Sequence, residues 1–69
     1  MINIKINNIL NDKGKSIYWL ADKTGLAYST TYNLVNNNTA SVHFKTLEEI
    51  MQALDITDFN QVLEIIPEE

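Results

Sequence analysis

Sixty-nine residues, 45% of them apolar, allow one small domain with a packed core and leave no room for a deep catalytic cavity. The absence of cysteine excludes disulfides and thiolate zinc sites, and no apolar run approaches the roughly 18–20 residues of a membrane span. The net charge of −4 is unevenly spread: residues 1–45 carry all five lysines against Asp12 and Asp22, whereas residues 46–69 carry seven acids and no basic side chain. The N-terminal stretch MINIKINNIL lacks the basic region and cleavage site of an export signal, so the expected compartment is the cytoplasm.

In INIKINNILNDKG, Ile2, Ile6, Ile9 and Leu10 fit helical spacing, while Ile2, Ile4 and Ile6 alternate like a strand. Either reading is open for the first residues; the helical one covers about 3–13 and stops at Gly14. SIYWLADKTG predicts a short helix over 17–24, capped by Ser16, with Ile17, Leu20, Ala21 and Thr24 on one face and Gly25 at its end. LAYSTTYNLVNNN is rich in mediocre helix formers, but the spacing of Leu26, Thr31, Leu34 and Val35 predicts a helix over 28–35. Asn36, Asn37 and Asn38 then read as a turn.

TLEEIMQALDI carries the clearest helical pattern, with Leu47, Ile50, Met51 and Leu54 at i, i+3, i+4 and i+7, placing a helix at 45–54. TDFNQVLEIIPEE predicts a last helix over 58–66, capped by Thr57, ended by Pro67 and apolar along Phe59, Val62, Leu63 and Ile66. If part of that face stays open, those four residues are the candidate dimer surface. Trp19 lies off the inward face of its helix, so it is expected either to fold over Lys23 at i+4 or to anchor a protein contact.

No stretch from Thr24 through Phe44 carries a lysine, arginine or acid, although the chain on both sides is ordinarily charged. A capped helix, a turn at Gly25 and a second short helix, with small Ala21 at their crossing, meet the requirements of a helix-turn-helix. In LADKTGL, YNLVNNNT and TLEEIMQAL, in this order and spacing, the chain from about Ile6 to Pro67 resembles the Cro and phage-repressor helix-turn-helix family of lambda-repressor-like domains. The resemblance implies a compact all-α, five-helix domain over residues 1–69 that binds operator DNA as a homodimeric transcriptional regulator, with the 28–35 helix in the major groove.

By position, the resemblance makes Tyr28, Ser29 and Asn33 the base-reading residues. Short neutral hydrogen-bonding side chains suit that task, and Asn can pair bidentately with adenine. Thr30 and Tyr32 beside them, and Asn36, Asn37, Asn38, Thr39, Ser41, His43 and Lys45 after them, are candidates for contact with the DNA backbone, as are Ser16 and Ile17 at a helix N-terminus. Two positions depart from the family pattern: Ile17 replaces a polar residue, and Thr31 stands where a larger aliphatic is usual. With Lys45 the one lysine on the expected DNA-facing loop, weak salt dependence is expected.

A protein-interaction module on the same fold, such as an antirepressor or antitoxin-like partner, is the alternative. Another regulator or RNA polymerase is a further possible partner. No catalytic motif, cofactor motif or metal-ligand set is visible: His43 is the only histidine, and Gly14 and Gly25 are too isolated to cradle a phosphate.

Overall fold

In the computed structural model, which describes residues 1–67, the chain runs β1 (Ile2–Ile4), α1 (Ile6–Lys13), α2 (Ile17–Thr24), α3 (Tyr28–Val35), α4 (Phe44–Ala53), one 3-10 turn (Phe59–Gln61) and β2 (Leu63–Ile65). The helices α2 and α3 have the bounds expected from their capping and spacing, and α4 starts one residue earlier than expected. The two ends differ from expectation. The first helix begins at Ile6 rather than near residue 3, and the helix expected over 58–66 does not form. The fold is therefore mostly helical, with four α-helices instead of five, and it is not all-α.

Both corrections have one cause. Residues 2–4 and 63–65 pair as an antiparallel two-stranded sheet in the register Ile2↔Ile65, Asn3↔Glu64, Ile4↔Leu63. The ladder continues past the strands: Lys5 N–H donates to the Val62 carbonyl at 2.7 Å, and Ile66 N–H donates to the Met1 carbonyl at 2.7 Å. Asp58, not Thr57, is the cap, accepting from Asn60 N–H at 2.9 Å, and the coil it starts lasts a single turn. Beyond that turn the apolar residues are largely β-branched, and an extended path satisfies their backbone groups against β1.

The sheet is two-faced. Ile4 and Leu63 lie over the core, and Ile2 and Ile65, on the same face, overhang it at 66% and 79% exposure. On the other face Asn3 Nδ2 donates to Glu64 Oε1 at 2.7 Å. Val62, read from sequence as a dimer-surface candidate, is fully buried and belongs to the core. Leu63 is half-buried against that core, whereas Phe59 and Ile66 remain exposed.

Ile6 and Leu10 of α1, Leu20 of α2, Leu34 and Val35 of α3, and Leu47, Ile50 and Met51 of α4 converge with Leu54, Ile56 and Val62 to form the core. Trp19 packs partly against it. Its ring carries Lys15 Nζ at 5.1 Å from the centroid, so the cation–π partner is one turn before Trp19 rather than Lys23 one turn after. No helix among the described residues is long and apolar enough to cross a membrane.

Helix α4 ends in a Schellman closure, with Asp55 N–H donating to the Gln52 carbonyl at 3.2 Å and Ile56 N–H to the Met51 carbonyl at 2.9 Å. This places Asp55 at φ 57°, in the left-handed region. Asp55→Gly is expected to raise stability by about 0.5–1 kcal/mol, because glycine relieves a Cβ clash whose cost exceeds glycine's own entropy loss. Thermal denaturation of the two proteins checks this, and a lower midpoint for the glycine variant would contradict it.

Candidate nucleic-acid interface

The interface is built on α2 and α3. Ser16, in extended backbone, accepts from Trp19 N–H at 3.0 Å and so starts α2 with its hydroxyl. At the other end Gly25 adopts φ 77° and its N–H closes on the Ala21 carbonyl at 2.9 Å. The left-handed turn at Gly25 sends the chain back across α2, and Thr24 tightens it by donating its hydroxyl to the Leu20 carbonyl at 2.8 Å. The chain then enters α3.

Three residues of α3 face the core: Thr31, Leu34 and Val35. Thr31 is fully buried, and its hydroxyl donates to the Ala27 carbonyl at 3.0 Å. That bond within the helix is why a threonine is tolerated in a place where an aliphatic is usual. With the inward side settled, a rotation of roughly 100° per residue orders the outward side. Tyr28 and Tyr32 form one flank, Ser29, Asn33 and Asn36 the centre, and Thr30 the other flank. All six are exposed.

On the first flank three tyrosines form a ladder. The Tyr28 and Tyr32 rings are 6.1 Å apart, and Tyr18 of α2 lies 6.3 Å from Tyr28. Tyr18 is 71% exposed and was not among the residues picked from sequence. Its signal was present: Tyr18 lies off the Ile17–Leu20–Ala21–Thr24 face of α2. On the second flank a cleft runs between α3 and the following loop, lined by Thr30, Asn33, Asn38, Thr39, Ser41 and His43.

The four asparagines between residues 33 and 38 are used differently. Asn33 makes no side-chain hydrogen bond to any described residue. Asn36 Nδ2 donates to the Tyr32 carbonyl at 2.9 Å. Asn37, at φ 61°, has its whole carboxamide engaged by β1: Ile4 N–H donates to its Oδ1 at 2.6 Å, and its Nδ2 donates to the Ile4 carbonyl at 3.1 Å. The Asn37 side chain is therefore a structural clamp and is unavailable to a phosphate, contrary to the reading from sequence. Asn38 spends only its backbone N–H, on the Asn33 carbonyl at 2.7 Å.

Among the other expected contacts, the Ile17 side chain is half-buried against the core. Thr39 donates its hydroxyl to the Ser41 carbonyl at 2.7 Å, which folds the loop back on itself. Ser41, His43 and Lys45 are exposed.

Two helix N-termini open onto this surface without side-chain caps. Ala27 begins α3 and His43 begins α4, and neither side chain accepts a capping bond. Neither helix has an acid in its first turn. The N–H groups of Tyr28, Ser29 and Thr30, and of Phe44, Lys45 and Thr46, have no partner among the described residues. Each end carries the positive pole of its helix and can receive an anionic oxygen.

A family model described as the Cro/C1-type HTH DNA-binding domain matches residues 5–68. No curated protein and no solved structure matches the chain. The match spans both helices of the turn, the loop and α4, together with the terminal turn and strand that the periodicity of the sequence had misread. The chain belongs to the Cro/C1-type helix-turn-helix DNA-binding family.

Proposed function

We propose that residues 1–69 act as one sequence-specific, DNA-binding transcriptional regulator in the cytoplasm, with α3 lying in the major groove of operator DNA. The observation that carries this reading is the outward face of α3: six exposed, uncharged side chains, with Asn33 free to bond and uncapped helix N-termini alongside. Tyr28, Ser29 and Asn33 are assigned to base edges. Thr30, Tyr32, Asn36, Asn38, Thr39, Ser41, His43 and Lys45, with the N-terminal amides of α2, α3 and α4, are assigned to the sugar-phosphate backbone. The reading gives the protein no catalytic step, metal or cofactor.

A homodimer belongs to the same proposal, since two copies reading half-sites about one helical turn apart would supply affinity that one neutral face lacks. Its surface is assigned to exposed apolar residues at the terminal sheet and turn, Phe59 and Ile66 with Ile2 and Ile65, in place of buried Val62.

Selection of bound sequences from a random duplex pool, at low and then moderate salt, tests the reading. An enriched palindrome is expected. Amides and neutral side chains release few counterions, so the slope of log K against log salt is expected to be shallower than about −4. Recovery of no motif at either salt would favour a protein-interaction module on this fold. The acidic C-terminal third of the chain is the feature that supports that second reading.

A further inference from the structure

The identity of the base pairs follows from what α3 carries and what it lacks. Helix α3 and its flanks from Thr24 to Phe44 contain no arginine or lysine. Guanine is read most often by a bidentate arginine or lysine at O6 and N7, and a surface without one leaves those acceptors desolvated and poorly paired. Adenine presents an N7 acceptor next to an N6 donor, which is the complement of a carboxamide. On the outward face of α3 only Asn33 offers a carboxamide with no partner among the described residues, because Asn36 gives one of its two amide hydrogens to the Tyr32 carbonyl and Asn37 has both groups on Ile4.

The flank beside Asn33 points the same way. Tyr28 and Tyr32 are half-exposed, with rings 6.1 Å apart, and Tyr18 extends the row. These rings give a neutral helix face an apolar strip. The thymine C5-methyl is the apolar group that the major groove presents. We propose that this recognition surface selects A·T base pairs, the Asn33 carboxamide pairing with an adenine and the Tyr28 ring, backed by Tyr32, seating on a thymine methyl group. The inference rests on the placement of α3 in the major groove proposed above.

The test uses the full chain and the duplex enriched from the random pool. Two changes are made to the DNA: adenine to guanine at each conserved position, and thymine to deoxyuridine at each neighbouring position. One adenine-to-guanine change is expected to weaken binding by about tenfold or more, and Asn33→Ala is expected to erase that preference at the same position alone. Removing the thymine methyl is expected to weaken binding by about three- to fourfold, roughly the effect of one buried methyl group. Tyr28→Phe should keep the thymine preference and Tyr28→Ala should lose it.

An enriched motif whose Asn33-dependent position is a G·C pair would overturn the inference while leaving the groove placement intact. Indifference to the methyl, or loss of the preference in Tyr28→Phe, would overturn the role of the aromatic strip. Absence of any enriched duplex would overturn both the inference and the reading beneath it.

Discussion

Asn37→Ala is expected to destabilise the protein by about 2–4 kcal/mol. The Asn37 carboxamide takes the place of a neighbouring strand for β1, accepting from Ile4 N–H at 2.6 Å and donating to the Ile4 carbonyl at 3.1 Å. Ile4 is buried at 8% exposure, so removing the amide strands a donor and an acceptor where water reaches them poorly. A second cost comes from the backbone. Asn37 sits at φ 61°, closing α3 with its N–H on the Leu34 carbonyl at 3.2 Å, and alanine tolerates that region less well than asparagine.

Asn37→Gly separates the two costs. Glycine accepts the left-handed conformation and loses only the carboxamide, so it should fall between the native protein and the alanine variant, about 1 kcal/mol above the latter. For a domain of this size each kcal/mol moves the thermal midpoint by roughly 4–8 °C, which makes the order of the three proteins easy to read. If both variants melt with the native protein, the clamp contributes nothing and the terminal sheet is held by other contacts.

Asn33→Ala, four residues earlier, is expected to behave in the opposite way. The fold should be unaffected, since the side chain is exposed and bonds to no described residue, and alanine is a better helix former than asparagine. Binding to the selected duplex should weaken by roughly 1–3 kcal/mol, or about 5- to 150-fold, while binding to unrelated duplex changes little. Titration of both duplexes at one salt concentration, beside a thermal melt, gives the two readouts. Equal losses on specific and unrelated DNA would move Asn33 from the bases to the backbone, and an unchanged affinity would remove it from the interface.

These two asparagines show how far sequence reasoning reaches. Both lie in YNLVNNNT, both are asparagine, and both were read as DNA contacts. What separates them is β1, thirty-three residues before Asn37, which engages one amide and leaves the other free. Val62 was misread in the same way. Its spacing with Phe59, Leu63 and Ile66 fits a helix, but its carbonyl accepts from Lys5 N–H at 2.7 Å and its side chain is fully buried. Trp19 is expected from its helix to fold over Lys23, but its ring carries Lys15 instead, which precedes the Ser16 cap of α2.

The helix-turn-helix was legible because its determinants are local. The Ser16 cap acts over three residues, the Gly25 turn over four, and the inward stripe of α3 repeats within two turns of one helix. Each can be read in a window of ten residues, and the family resemblance rests on those same residues. The ends of the chain depend on hydrogen bonds between partners more than fifty residues apart, such as Asn3 with Glu64 and Lys5 with Val62. Short β-branched segments satisfy helical and extended spacing alike, and only the presence of a strand to pair with decides between them. The sequence by itself thus determined the two helices of the helix-turn-helix, the helix α4 after them, and which face of α3 is polar and uncharged. The tertiary structure decided which of those polar side chains remain free to meet a partner, because each backbone group of β1 had to find its own.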